Sequence, residues 1–206
     1  DALVNNPQVF RPKSGYIFAG MTFWIVATML YLQIIDYGFN FGLIIASVWG
    51  ALVCLIGYQI FIHPKVVFYD EGVEIVNPFT HHLIGWQDVE QIDTRYTMSI
   101  KTHGGSVGTK QIYAFAAPAP GRYHSRSIHQ SELRGLNIQS TGSIQAGQSP
   151  NSHSGVASAI ANQKMIAFQR LDKPQLVQYR YQFNRKALQL NLILLVTGTL
   201  LLILHN

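Results

Sequence analysis

The sequence predicts a helical membrane protein that carries one small α+β domain, and three observations predict it. Three runs of about span length hold no charged residue, and a block of short β-rich runs lies between the second and the third. Across all 206 residues, 48% are hydrophobic and only 12% charged, whereas a soluble domain is usually about 25% charged. Part of the chain therefore belongs in lipid.

A helix needs roughly 20 apolar residues to cross the hydrocarbon core of a bilayer. Tyr16 to Ile35 ("YIFAGMTFWIVATMLYLQII") and Phe41 to Ile62 ("FGLIIASVWGALVCLIGYQIFI") meet that need, and only "DYGFN" separates them, so residues 16–62 read as a transmembrane helical hairpin. The third run, Ala187 to Leu204, has Gln189 and Asn191 in its first turn. The first run is too long for a secretory signal and lacks a cleavage site. Small residues at Gly42, Ala46, Gly50 and Ala51 would let helices approach closely. The polar residues within the runs are not ionisable, which argues against a proton relay or an ion-coupled transporter.

Basic residues set the expected orientation. Arg11, Lys13, Lys65, Arg180, Arg185 and Lys186 flank the runs on one side, whereas the connecting loop has Asp36 and no base. By the positive-inside rule, residues 1–15 and the central domain are cytoplasmic and the far end of the third span is outside, in a multi-pass inner-membrane protein. The formal net charge of +5 then matches anionic inner-leaflet lipids and not nucleic acid. Cys54 is the lone cysteine, so no intrachain disulfide can form.

Residues 63–171 read as the cytoplasmic domain. Strands are expected near "KVVFY", "VEIVN", "HHLIGW", "VEQIDTRY", "SIKTH" and "TKQIYAFA", separated by turn residues such as "DEG", "NPFT" and "GGSVG". Strands this short suggest a meander that curls into a small barrel or two packed sheets. Trp86 reads as a core anchor, with Val89 and Ile92 continuing the core and Asp88, Glu90 and Asp93 solvated. A ligand-stacking role for the indole is the alternative. Residues 116–153 are rich in Pro, Gly, Ser and Gln, which predicts a long loop, with Arg122, Arg126 and Arg134 set against Glu132 alone.

A helix is expected from an N-cap at Ser154, with Ala157, Ala161, Met165 and Phe168 on one face. After Asp172 and Pro174, the positions Leu176, Tyr179, Phe183, Ala187 and Leu190 share a helical face. Residues 172–204 are therefore expected to be one amphipathic helix running into the third span, with Arg180, Arg185 and Lys186 at headgroup level.

The apolar-x-Trp-x-Asp-apolar run formed by Ile84, Trp86, Asp88 and Val89, preceded by "YDEGVEIVNPF" and followed by a closing helix, resembles the membrane-anchored pleckstrin-homology-type domains of bacteria, actinobacteria in particular. The resemblance implies a small antiparallel barrel or sandwich capped by a C-terminal helix and used as a binding scaffold. In that family phosphoinositide binders carry Lys and Arg around the first hairpin. Here that turn holds Asp70, Glu71 and Gly72, which repel phosphate.

Signs of chemistry are sparse. "GGSVGTK" at residues 104–110 lacks the Gly-Lys-Ser/Thr ending of a phosphate loop and reads as a hairpin turn. His81 and His82 are adjacent in a strand and face opposite sides, so they are poorly placed to share an ion. There is no nucleophile elbow. The expected function is a non-catalytic membrane protein, without metal or cofactor, whose domain engages a protein partner. The alternative is recognition of anionic lipid headgroups. In either case the contact residues would be drawn from Arg122, Arg126, Arg134, Arg180, Arg185 and Lys186.

Overall fold

The computed structural model describes residues 5–103, 108–118, 152–172 and 174–205. In chain order the elements are β1 (Gln8–Phe10), α1 (Ser14–Tyr37), α2 (Phe41–Gly57), β2 (Lys65–Phe68), β3 (Gly72–Val76), β4 (Thr80–Gly85), β5 (Val89–Asp93), β6 (Thr97–Thr102), β7 (Lys110–Pro118), α3 (His153–Gln169), β8 (Arg180–Phe183) and α4 (Arg185–His205). They form two compact units, one of Asp1–Pro12 with Lys65–Gln182 and the other of Lys13–Pro64 with Phe183–Asn206.

In the helical unit, Ser14–Tyr37, Phe41–Ile62 and Arg185–His205 are long and apolar enough to cross a membrane, close to the expected bounds. Gly38 ends α1 with φ +65°, a left-handed conformation open to glycine, and its N–H reaches Ile34 O at 2.9 Å. Asn40 then caps α2 by accepting from Leu43 N–H at 2.9 Å. The last turn, Tyr58–Ile62, is π-helical. Two of the four expected small residues lie close to α1: a Cβ on Gly50 would come within 2.8 Å of Val26, and one on Gly42 within 3.2 Å of Gln33. Ala51 is exposed instead. Gly57 adds a third close approach, toward Thr22. Thr22, Thr28, Ser47 and Thr199 each donate to the carbonyl four residues earlier, so their hydroxyls are satisfied without water. Between the π-helical turn and α4, the Asn191 amide donates to Gln59 Oε1 at 2.7 Å and accepts from Gln59 Nε2 at 3.4 Å.

The β unit is two antiparallel sheets, ordered β1-β2-β3-β4-β8 and β5-β6-β7. Among the described residues they pack as a sandwich and do not close into a barrel. Alternation explains the core: Val66 and Phe68 of β2, Val73 and Ile75 of β3, Ile100 of β6, and Ile112, Ala114 and Ala116 of β7 point inward. Helix α3 covers them with Ala157, Ala161 and Phe168, and Met165 packs at the rim. Its cap is Ser152, which accepts from Gly155 N–H at 2.9 Å, and not the expected Ser154, which is buried inside the first turn.

A further expectation is corrected. Residues 172–204 do not form one amphipathic helix: among the described residues the chain has no regular element before Arg180, forms β8 beside β4, and becomes helical only at Arg185, where Asn184 Oδ1 accepts from Ala187 N–H at 3.2 Å. Val177 and Tyr179 turn inward at period two, whereas Leu176, assigned to the helical stripe, is exposed. The N-terminal segment adds a strand that the sequence did not show. Gln8 pairs with Phe68 and Phe10 with Val66, so β1 belongs to the same sheet as the strand after the hairpin. Strands that share a sheet lie in one compartment, so the chain between them crosses a bilayer an even number of times if it crosses at all.

Candidate interaction surface

The residues that carry the sequence signature build the fold. Ile84, Trp86, Asp88 and Val89 are all buried, Trp86 to 3% exposure. Trp86 opens a 3-10 turn after β4, where its backbone N–H reaches Glu71 O at 3.1 Å and its indole N–H donates to Tyr69 O at 3.1 Å. Gly72 is required beside it, because a Cβ there would lie 2.4 Å from Ile84 O. Asp88, expected in solvent, is buried, and its carbonyl accepts from His103 N–H at 3.2 Å. The indole is thus enclosed and is no stacking platform for a ligand.

The acidic turn has a structural occupation as well. Both Glu71 carboxylate oxygens accept from Asn5, one from its backbone N–H at 2.9 Å and one from its side-chain amide at 2.8 Å. Asp70 accepts from the Asn6 amide at 2.6 Å and pairs with the Lys164 ammonium of α3. The hydrogen bond from Lys164 holds the Asp70 carboxyl below its ordinary range; burial opposes the shift and Asn6 adds to it. The turn binds the N-terminal segment and the closing helix to the sheet.

Of the basic residues read as partner contacts, Arg180 is exposed on β8, and Arg185 and Lys186 are exposed in the first turn of α4. The α4 cap at Asn184 separates Arg180 from the other two. Arg122, Arg126 and Arg134 lie outside the described residues.

Sequence reasoning missed a cluster that forms because β8 is a strand. His82 Nδ1 lies 3.0 Å from Tyr179 Oη, the Tyr181 ring is centred 5.1 Å from the His82 ring, and Lys110 Nζ sits 5.9 Å above the Tyr179 ring. Burial chiefly, then the charges of Lys110 and His81, push the His82 imidazole below its ordinary value. A neutral ring suits the hydrogen bond to Tyr179. The signal was present in "VQYRY", whose period-two aromatics favour a strand. Among the described residues no group of three His, Cys, Asp or Glu could hold a metal ion.

Tyr181 and Lys110 are exposed at this cluster and Arg180 is exposed on the same strand, so the β8 edge offers cationic and phenolic donors beside flat apolar rings. Such a surface can take a carboxylate, a phosphate or a peptide strand along the β8 edge. Comparison of the chain with protein-family models, with curated proteins and with solved structures finds no match.

Proposed function

We propose that the chain is a three-span inner-membrane protein whose β unit is a non-catalytic interaction and assembly module on the cytoplasmic side. The observation that carries this reading is the pairing of β1 with β2: one sheet holds the strand before the first span and the strand after the second, and β8 of the same sheet leads into the third. A module tied to the membrane at three points meets a membrane-bound partner at high effective concentration, so modest contacts suffice. The positions of Arg11, Lys13, Lys65, Arg180, Arg185 and Lys186 support a cytoplasmic location. Two sheets closed by a helix suit the pleckstrin-homology-type reading of Ile84, Trp86, Asp88 and Val89.

Photo-cross-linking from Tyr181 in intact cells tests the proposal. Capture of one defined protein, lost on Arg180→Gln, supports it, and capture of lipid alone counts against it. The exposed Arg180, Arg185 and Lys186 favour a second reading, attraction of anionic headgroups at about 1 kcal/mol per base. That reading requires attachment that weakens steeply with salt.

A further inference from the structure

We infer that the β3–β4 turn, Asn77-Pro78-Phe79-Thr80, is an additional membrane contact that places the Phe79 ring in the interfacial region of the bilayer. The inference rests on the reading that the three helices span a membrane, and it adds a site to that reading. Register carries it. Lys65, which follows the hairpin directly, pairs with Val76, and Val76 pairs with His81, so the turn between β3 and β4 lies at the end of the sheet where the chain arrives from the second helix. Phe10 pairs with Val66 at the same end, just before the chain enters the first helix. β8 runs beside β4, with Tyr181 against His82, and ends at Phe183, where the chain leaves for the third helix.

The turn is made for an interface. Asn77 N–H bonds Thr80 O at 2.8 Å, closing a tight loop around Pro78 that pushes Phe79 outward to 37% exposure. The Asn77 side chain then grips β7, donating to Tyr113 O and accepting from Phe115 N–H, each at 2.9 Å. That bond brings the exposed rings of Tyr113 and Phe115 to the same corner. The turn itself is uncharged, and Lys65 and His81 flank it in the register. Aromatic rings beside basic groups, with no acid in the turn, match the headgroup boundary, where aromatic side chains concentrate.

The test uses the full chain in lipid nanodiscs, with Cys54→Ala and a single reporter cysteine carrying an environment-sensitive fluorophore. Thr80→Cys leaves the Phe79 ring in place, His103→Cys reports the second sheet where it meets Asp88 beyond the far end of β4, and Leu195→Cys reports the middle of α4. Lipids spin-labelled near the headgroup should quench the reporter at residue 80 strongly and the one at 103 weakly, and lipids labelled deep in the chain should quench the one at 195. Adding Phe79→Ser should remove most of the quenching at 80. A reporter at 80 that behaves like the one at 103 while 195 is quenched overturns the inference and spares the spanning reading. Loss of quenching at 195 overturns both, and quenching at 80 that survives Phe79→Ser overturns the role of the ring.

Discussion

The indole N–H of Trp86 donates across 3.1 Å to the carbonyl of Tyr69, tying the turn that follows β4 to the turn between β2 and β3. Burial and this bond together make Trp86 the pin of the five-stranded sheet. Trp86→Ala should cost about 3 to 5 kcal/mol, the usual loss for truncating a core aromatic. Trp86→Phe should retain much of the packing, and loss of the hydrogen bond should add a penalty of about 1 kcal/mol. Hydrogen exchange of the β3 and β4 amides, in the full chain in detergent, reads both. A loss under about 1 kcal/mol for the alanine variant would contradict an enclosed indole.

Asp70 gives an acid-dependent contribution. Its carboxyl, ordinarily near 3.8, is held lower in the folded chain by Lys164, so in the interval between the two values the unfolded state binds more protons. The contribution is complete above 3.8 and disappears as pH falls through the folded value. Asp70→Asn should remove that dependence and lower stability at neutral pH by about 1 kcal/mol or less, since the pair is partly exposed. Exchange in β2 and β3, followed across this range, checks it. An Asp70→Asn protein with the wild-type acid profile would place the titration elsewhere.

His82 acts in the same direction at higher pH. Its folded value lies below the ordinary 6.5 because burial opposes the charge, so protonation favours the unfolded state. Stability from this site is complete above 6.5 and is lost as pH falls through the folded value. His82→Gln should flatten that part of the profile, and Tyr179→Phe should cost about 1 kcal/mol at neutral pH by removing the bond to the imidazole. NMR titration of the imidazole resonances would decide, and a value at or above the ordinary one would sink the account.

Within the helical unit, the reciprocal amide pair of Gln59 and Asn191 predicts non-additive behaviour. Gln59→Leu leaves Asn191 without its partner in an apolar setting and should cost about 1 to 2 kcal/mol, as should Asn191→Leu. The double leucine variant should recover part of the loss, because no amide is then stranded. Reversible unfolding in mixed micelles measures the cycle; simple additivity would mean the two amides do not act together.

Alternation made most of the β unit legible before the structure. Val73, Ile75, Ile84, Ile100 and Ile112 are inward at period two, and Ala157, Ala161 and Phe168 mark the covering helix at period 3.6. What stayed hidden depended on partners distant in the chain. Gln8–Phe10 is too short to show a period, and it becomes a strand only because β2 offers an edge. Asp88 is charged and so reads as solvated, yet the 3-10 turn opened by Trp86 carries it inward. Tyr179 and Phe183 are four apart and fit a helix as well as a strand, and β4 decides between them. The candidate contacts were legible only as basic residues. The His82, Tyr179 and Lys110 grouping needs β8 to be in place.

The central claim is that the β unit faces the cytoplasm, with β1 and β2 on one side of a two-span hairpin. Single cysteines at Gln8, His103 and His205, in a Cys54→Ala chain, can be treated in intact cells with a membrane-impermeant maleimide. The account predicts that Gln8→Cys and His103→Cys are labelled only after permeabilisation and His205→Cys before it. Labelling of His103→Cys in intact cells, or different behaviour of Gln8→Cys and His103→Cys, would contradict it.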